Sequence, residues 1–534
     1  MPGERKRSTW WFAALILATA CGALAFRLPH LDRRPLHGDE ANQAHKAGVL
    51  LDTGLYRYDP QEHHGPTLYY LTLPVAWLSG AKAFADTNEW TYRVVPIVFG
   101  VGLVLLLLLV ADGPGRTGTF CAAVLTAVSP AMVFYSRYYI QEMLLVFFTF
   151  AAIACAWRYT RKPRMGWAIG TGIALGLMHA TKETCIIAYA SMAAGVGAVV
   201  FGPGRVGENQ RSYGVKRAIQ RLRTTLSWPH VAAGALAGAA ASTLFFSSFF
   251  GHPRGVLDSI LTFGNYFTKA EGAGIHDQPW YFYLKMLAYA KPGPGPWWSE
   301  GLILGLFVVG AVSAFGRPFG SGSQRAFARF LVVYTVAMTV LYAAIPYKTP
   351  WCMLGFLHGM ILVAGIGATM LLRWSRRPPV RMVVAALLLA ATVQLACQAH
   401  RATGRYAADW RNPYVYAHTS PAFLRLPERA EQIARVAPEG HAMRIDVIVP
   451  NRDYWPLPWY LRRFAQVGYW DEIPETLDAP LIIASPDLET ELTARLQEDY
   501  EREFHGLRPG VLLHVYIRRD LWDAFLDNQD APGN

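Results

Sequence analysis

The chain has 534 residues, of which 53% are hydrophobic and 16% charged, with a formal net charge of +12. Soluble domains carry about a quarter charged residues, whereas apolar runs near twenty residues recur here, each long enough to cross a hydrocarbon core of roughly 30 Å. This excludes an ordinary soluble enzyme. Because the excess Lys and Arg falls in short loops between apolar runs, a nucleic-acid partner is excluded as well.

The N-terminus, MPGERKRSTWWFAALILATACGALAF, has a basic start and a long apolar run. No small-residue cleavage site precedes Phe26-Arg27-Leu28-Pro29, so it reads as an uncleaved first span. A polar stretch, Arg34 to Tyr70, follows. With Asp32 and His30 just upstream it gathers Asp39, Glu40, Asp52, Asp59, Glu62, His37, His45, His63 and His64. Apolar segments at 10–28, 93–111, 117–135, 141–158, 166–180, 184–202, 229–250, 300–316, 328–345, 352–373 and 380–398 predict about eleven transmembrane helices. Thr67–Phe84 is apolar but interrupted by Pro74 and Gly80, and reads as an interfacial helix.

Arg5, Lys6 and Arg7 put the N-terminus in the cytoplasm. Alternation then places the basic loops (Arg116; Arg158 to Arg164; Arg205 to Arg223; Arg317 and Arg325; Arg373 to Arg381) inside. The opposite, outer side receives the acidic first loop, Ser136–Glu142, His179–Glu183, the 251–299 loop, Pro346–Trp351 and everything beyond 398. The six cysteines lie in or beside apolar segments and read as small buried residues rather than a disulfide framework or thiolate metal site. After residue 400 the composition turns soluble. RIDVIVP, APLIIAS and GVLLHVYIRRD read as strands, and SPDLETELTARLQEDY as a helix capped by Ser485 with Pro486 at its first position. The expected fold is thus a multi-pass α-helical membrane domain (1–400, with outer loops 29–92 and 251–299) followed by a small extracytoplasmic α/β domain (401–534).

Asp39 and Glu40 are adjacent, so on a helix they diverge by about 100°. One can reach into a cavity while the other caps, orients or binds a cation. Arg137 and Glu142 sit at the boundary of two spans, as do Lys182 and Glu183 in the next outer turn and Lys348 in the last. Ionisable groups there are costly unless they pair or line a wet cavity. Four such turns on one side suggest a shared polar cavity suited to a substrate with an anionic phosphate head and an apolar tail. No histidine spacing matches a known metal signature. A divalent cation, magnesium or manganese, held by carboxylates such as Asp39, Glu40 and Glu142 together with a phosphate fits better, because such ions prefer oxygen ligands. No cofactor is certain.

The order of short motifs carries a resemblance: Gly38-Asp39-Glu40, then His64-Gly65-Pro66-Thr67-Leu68-Tyr69-Tyr70, Ser136-Arg137-Tyr138 with Glu142, Thr181-Lys182, His276 to Tyr283, and Lys348-Thr349-Pro350-Trp351. Over residues 10–360 the chain resembles the GT-C superfamily of polyprenyl-phosphate-sugar-dependent glycosyltransferases, of the protein O-mannosyltransferase and aminoarabinose-transferase type. Its C-terminal Asn412 to Tyr416, Asp453 to Tyr460 and Val467 to Trp470 look more like the subgroup of membrane proteins named for association with flippase activity.

The resemblance implies a hexosyl or pentosyl transferase of the plasma (inner) membrane. Asp39 would be the general base in a single inverting displacement, with Glu40 beside it. Glu142 and His64 would contact the acceptor or a cation. Arg137, Lys182 and Lys348 would neutralise the donor phosphate, and His276, Trp280 and Tyr281 would form the donor loop. The partners implied are a polyprenyl-phosphate sugar, membrane lipid, and a glycan, lipid or protein acceptor. Two positions depart from the pattern: His64 stands where lysine is common, and Glu183 follows Lys182 where glycine is common. The alternative is a lipid-linked-sugar flippase or flippase accessory. A transporter site would lie near the bilayer midplane, where the sequence offers Gln394 and a few Ser and Thr.

Overall fold

The computed structural model describes residues 2–61, 64–201, 226–269, 276–316 and 320–530. Glu62, His63, the basic stretch 205–223 and Arg317 lie outside the described residues. The chain divides into two compact units. The first comprises Met1–Pro29, Leu55–Thr72 and Tyr92–Tyr414, and the second His30–Gly54, Leu73–Thr91 and Val415–Asn534. This differs from a boundary at residue 400. Two pieces of the 29–92 segment group with the C-terminal domain because their backbone and rings are tied to it: Leu36 N–H donates to the Tyr460 hydroxyl (2.9 Å), and Phe84 packs edge-on against Trp459.

The helices, in chain order, are α1 (Pro2–Arg27), α2 (Gly38–Thr53), α3 (Thr67–Leu78), α4 (Glu89–Leu106), α5 (Gly115–Val128), α6 (Pro130–Tyr135), α7 (Glu142–Arg161), α8 (Met165–His179) and α9 (Cys185–Phe201). Then come α10 (Trp228–Phe246), α11 (Arg254–Lys269), α12 (Phe282–Ala288), α13 (Gly301–Phe315), α14 (Gly322–Ala344), α15 (Leu354–Trp374) and α16 (Pro378–Thr403). A helix stands at each of the expected spans. Among the described residues seven are long and apolar enough to cross a membrane: Trp10–Arg27, Glu89–Val110, Glu142–Arg161, Trp228–Phe246, Gly322–Ala344, Pro350–Trp374 and Pro378–Thr403. Cys185–Phe201 and Gly301–Phe315 are apolar but shorter. The expected span 117–135 is two helices, because Pro130 cannot continue the backbone ladder and the Ser129 hydroxyl caps α6 by accepting from Met132 N–H. At 12 residues, α3 is about 18 Å long, too short to cross.

Close backbone contact holds α8 to α10. A Cβ on Gly172 would lie 1.8 Å from the Gly234 carbonyl oxygen, and one on Gly176 2.1 Å from that of Gly238. Small residues four apart on both helices permit this approach where no hydrophobic effect drives association. The span ending at Trp374 is the central one, with 83% of its most apolar window buried. It also carries a polar residue that the sequence reading passed over: His358 is buried there against the Phe150 ring.

The second unit holds a five-stranded sheet in the order β2-β1-β3-β5-β4, made of β1 (Arg444–Ile448), β2 (Gln466–Trp470), β3 (Leu481–Ala484), β4 (Tyr500–Arg508) and β5 (Val511–Arg518). β1 runs parallel to β2 and β3, whereas β3–β5 and β4–β5 are antiparallel. Along β3, Leu481 and Ile483 enter one apolar core while Ile482 and Ala484 enter the other. Burial on both faces is why this strand reads as an unbroken apolar run. Helices α17 (Arg425–Val436), α18 (Leu457–Tyr460), α19 (Glu489–Arg495) and α20 (Arg519–Asp530) complete the domain. The helix expected over 485–500 ends at Arg495, because the chain from Tyr500 is drawn into pairing with β5.

Candidate functional site

In the first unit the ionisable groups converge at one end of the helix bundle. The turn between α8 and α9 is stitched to the segment before α3: Gly65 N–H donates to Thr181 O and Thr67 N–H to Ala180 O, both at 3.1 Å, and the two threonine hydroxyls meet at 2.8 Å. A Cβ on Gly65 would come within 2.2 Å of the Ala180 oxygen, so this approach needs glycine. Stitching carries His64 onto Glu183, with Nδ1 2.9 Å from Oε2, while Tyr58 donates to Oε1 at 3.3 Å. Burial would raise the Glu183 carboxyl, but the charge and hydrogen bond of His64, with Lys182 nearby, hold it below the ordinary range.

Lys182, next in sequence, forms a buried ion pair with Glu142 at the start of α7. The partner of Glu142 is therefore Lys182 rather than Arg137. Both line a small cavity of about 20 Å³ with Thr184, Tyr342, Trp351 and Cys352. Arg137 donates to Pro29 O at 2.7 Å. The two positions that depart from the resembled transferases, His64 and Glu183, are in contact with each other.

Two buried groups that sequence reasoning missed shape this end of the bundle. The Arg27 guanidinium, fully buried at the end of α1, donates to the Thr126 and Ala127 carbonyls at the end of α5 (3.0 and 2.9 Å) and to Ser136 Oγ (2.8 Å). A cation there satisfies orphan carbonyls of the helix terminus. Glu300, also fully buried, accepts from Ser129 Oγ (2.6 Å), Ala131 N–H (2.9 Å) and the Tyr414 hydroxyl (3.1 Å). Burial pushes its carboxyl up even so. The signal for both was a charged residue at the edge of an apolar run.

Lys348 is buried and donates to the Gln278, Ile345 and Pro346 carbonyls. Desolvation lowers its ammonium, opposed by the Asp277 charge. With Lys348 N–H on His276 O, Gln278 N–H on Pro346 O (3.0 Å each) and the His276 and Tyr347 rings 4.9 Å apart, the lysine pins the 276–278 strand to the turn before α15. Trp280 and Tyr281 follow, exposed, with ring centroids 5.7 Å apart.

The adjacent acids Asp39 and Glu40 belong to the second unit and part company at the start of α2. Glu40 is completely buried. Arg34 Nη2 lies 2.9 Å from both its oxygens, and one oxygen accepts from His37 N–H (3.1 Å). His37 returns the favour: its Nδ1 accepts from Asp39 N–H (3.0 Å), and its ring stacks on His418 at 5.5 Å. Glu40 thus serves as cap and ion-pair partner, which leaves the expected catalytic share to Asp39. The Asp39 carboxylate is 54% exposed, 3.8 Å from a His37 nitrogen that is already accepting a hydrogen bond. Its helix start lies against the Trp455 backbone and Cβ. Burial, and then the Asp39 charge, push the nearby Tyr416 phenol up.

Other polar groups of the 30–64 stretch also have local duties. Asp52 accepts from Phe84 N–H, Asp59 from Gln61 N–H, and His45 packs against Phe84 and Trp455. Among the described residues no group of three or more His, Cys, Asp or Glu side chains is placed to hold a metal ion.

Residues 69–220 match the family model for dolichyl-phosphate-mannose-protein mannosyltransferase. No curated protein matches the chain by sequence. By structure it is similar to apo ArnT from Cupriavidus metallidurans (TM-score 0.62, 15% identity, covering 96% of this chain and 99% of that one). The same enzyme bound to undecaprenyl phosphate matches at TM-score 0.60, with 15% identity and the same coverage. The oligosaccharyltransferase of Archaeoglobus fulgidus in its apo form matches at TM-score 0.57, with 12% identity, 96% of this chain and 77% of that one. The fold is that of the GT-C membrane glycosyltransferases, over nearly the whole chain.

Proposed function

We propose that this protein is a membrane glycosyltransferase that moves a sugar from a polyprenyl-phosphate carrier to an acceptor on the outer face of the plasma membrane. The observation that carries the reading is the Lys182 turn: Lys182 and Glu183, paired with Glu142 and His64, sit on a glycine-stitched connection, and the turn lies within the segment matched by the mannosyltransferase family model. Binding of undecaprenyl phosphate by a protein of the same fold supports a lipid phosphate as the ligand.

In this reading the acceptor hydroxyl or amine attacks the anomeric carbon, the bond from that carbon to the phosphate oxygen breaks, and the configuration inverts. The lipid phosphate leaves as an anion, met by Lys182, His64 and Arg137, whose charge stabilises the transition state. Asp39 takes the acceptor's proton, a task that demands an ionised carboxylate within reach of the nucleophile. Glu142, when Lys182 turns to the phosphate, is released to orient the acceptor or to hold a magnesium or manganese ion. Lys348 acts on the donor through the strand it pins, with His276, Trp280 and Tyr281 at the donor's edge.

The test is transfer itself. Purified protein in nanodiscs receives a panel of radiolabelled polyprenyl-phosphate sugars with lipid, glycan and peptide acceptors, with and without EDTA. Label moving from carrier to acceptor is the expected result. Lipid binding with no transfer to any acceptor would contradict the enzyme reading and favour carriage of the lipid without chemistry. Loss of transfer in EDTA, restored by magnesium or manganese, would establish the cation.

A further inference from the structure

Glu183 has no part in the reaction as described, yet it is buried and both of its carboxylate oxygens are engaged. Its side chain is 3% exposed, whereas that of His64 is 26% exposed. One carboxylate oxygen takes the His64 Nδ1 edge at 2.9 Å and the other the Tyr58 hydroxyl at 3.3 Å. The backbone pairing of Gly65 with Thr181 and of Thr67 with Ala180 fixes the spacing from which this contact follows.

A buried carboxylate against a partly exposed imidazole has a direct physical consequence: it sets the ring's orientation by claiming the Nδ1–H. The other titratable groups facing Glu183 are Lys182, Tyr56, Tyr58, Tyr69, His179 and Cys185. The phenols of Tyr56 and Tyr58 are pushed up by burial and stay neutral, and Lys182 is engaged by Glu142. His64 is therefore the basic side chain that Glu183 orients.

We propose that Glu183 is a positioning residue that holds the His64 ring oriented against the turn that carries Lys182, so that recognition of the carrier's phosphate depends on a histidine. The proposal rests on the transferase reading above. It makes the affinity of the site for a polyprenyl phosphate a function of pH, which a lysine at the same position would not.

The test measures undecaprenyl phosphate binding to the protein in nanodiscs across a pH series from mildly acidic to mildly alkaline. Wild type, Glu183→Gln, Glu183→Asp and His64→Lys are compared, each first checked for an intact thermal transition. The lipid's own phosphate titrates in the same range. His64→Lys reports that contribution alone, since lysine keeps its charge throughout. Relative to His64→Lys, wild type loses affinity as the pH rises and the imidazole gives up its proton. Glu183→Gln binds about tenfold more weakly at neutral pH, on the scale of a lost orienting partner. Glu183→Asp recovers part of the affinity.

Wild type and His64→Lys following one pH curve, or Glu183→Gln binding like wild type, overturns the proposal and leaves the transferase reading standing. Wild type that binds no undecaprenyl phosphate at any pH overturns both.

Discussion

The acids that open α2 and the acids around the Lys182 turn show two ways of placing negative charge. At α2, adjacent carboxylates are sorted by helix geometry. Glu40 turns inward, where Arg34 and the His37 backbone take it up, and Asp39 turns outward and keeps more than half of its side chain exposed. Around Lys182 there is no such sorting. Glu142 and Glu183 are both buried, and each is matched by a basic side chain from a different part of the chain. In the transferase reading, the first arrangement leaves one acid to act as a proton acceptor. In the same reading, the basic side chains that the second holds against buried acids would meet the carrier's phosphate.

Breaking the inward half of the α2 arrangement has the largest expected effect on stability. Arg34→Ala leaves Glu40 as an uncompensated buried charge and is expected to destabilise the protein by about 3–5 kcal/mol, read as a fall in the thermal midpoint. The double change Arg34→Met with Glu40→Gln removes the stranded charge and is expected to recover much of the loss. Equal melting of the single and double variants would contradict the pairing.

Next in size is Gly65→Ala. The added methyl meets the Ala180 carbonyl, so the connection must shift, at about 1–3 kcal/mol. Because the same connection carries His64, lipid-phosphate binding should weaken together with stability. A variant that melts earlier yet binds normally would separate the stitch from the site.

The smallest effect concerns pH and sharpens the contrast. Glu183 is held below the ordinary carboxylate range in the fold, so its contribution to stability is present above that range. It is lost as the pH falls through its folded value. Wild type and Glu183→Gln should therefore differ in thermal stability near neutral pH and converge in acid. A gap that widens in acid would reverse the sign and refute the assigned ion pair.

Much of the scaffold was legible because membrane spans announce themselves by uninterrupted apolar length, and β3 by an apolar run bounded by turns. Strand β2 was not legible: Gln466–Trp470 is short and lies at a sheet edge. The site was legible as residue types but not as pairs. Adjacency showed that Asp39 and Glu40 must diverge, though not which would turn inward. The clue was His37 followed three residues later by Glu40, the spacing of a capping box. The His64–Glu183 contact joins residues 119 positions apart, and no local pattern encodes it. Lys348 looked like a phosphate ligand because it is a lone cation in a boundary turn, whereas its ammonium is spent on three backbone carbonyls.

The central claim is that Asp39, exposed beside its buried neighbour, accepts the acceptor's proton. Asp39→Asn keeps the shape and removes the basicity. With the donor and acceptor pair that supports wild-type transfer, the variant should melt like wild type and bind undecaprenyl phosphate equally well, while its transfer rate falls by about 10²-fold or more. Transfer at the wild-type rate by Asp39→Asn would contradict the account and remove Asp39 from the mechanism.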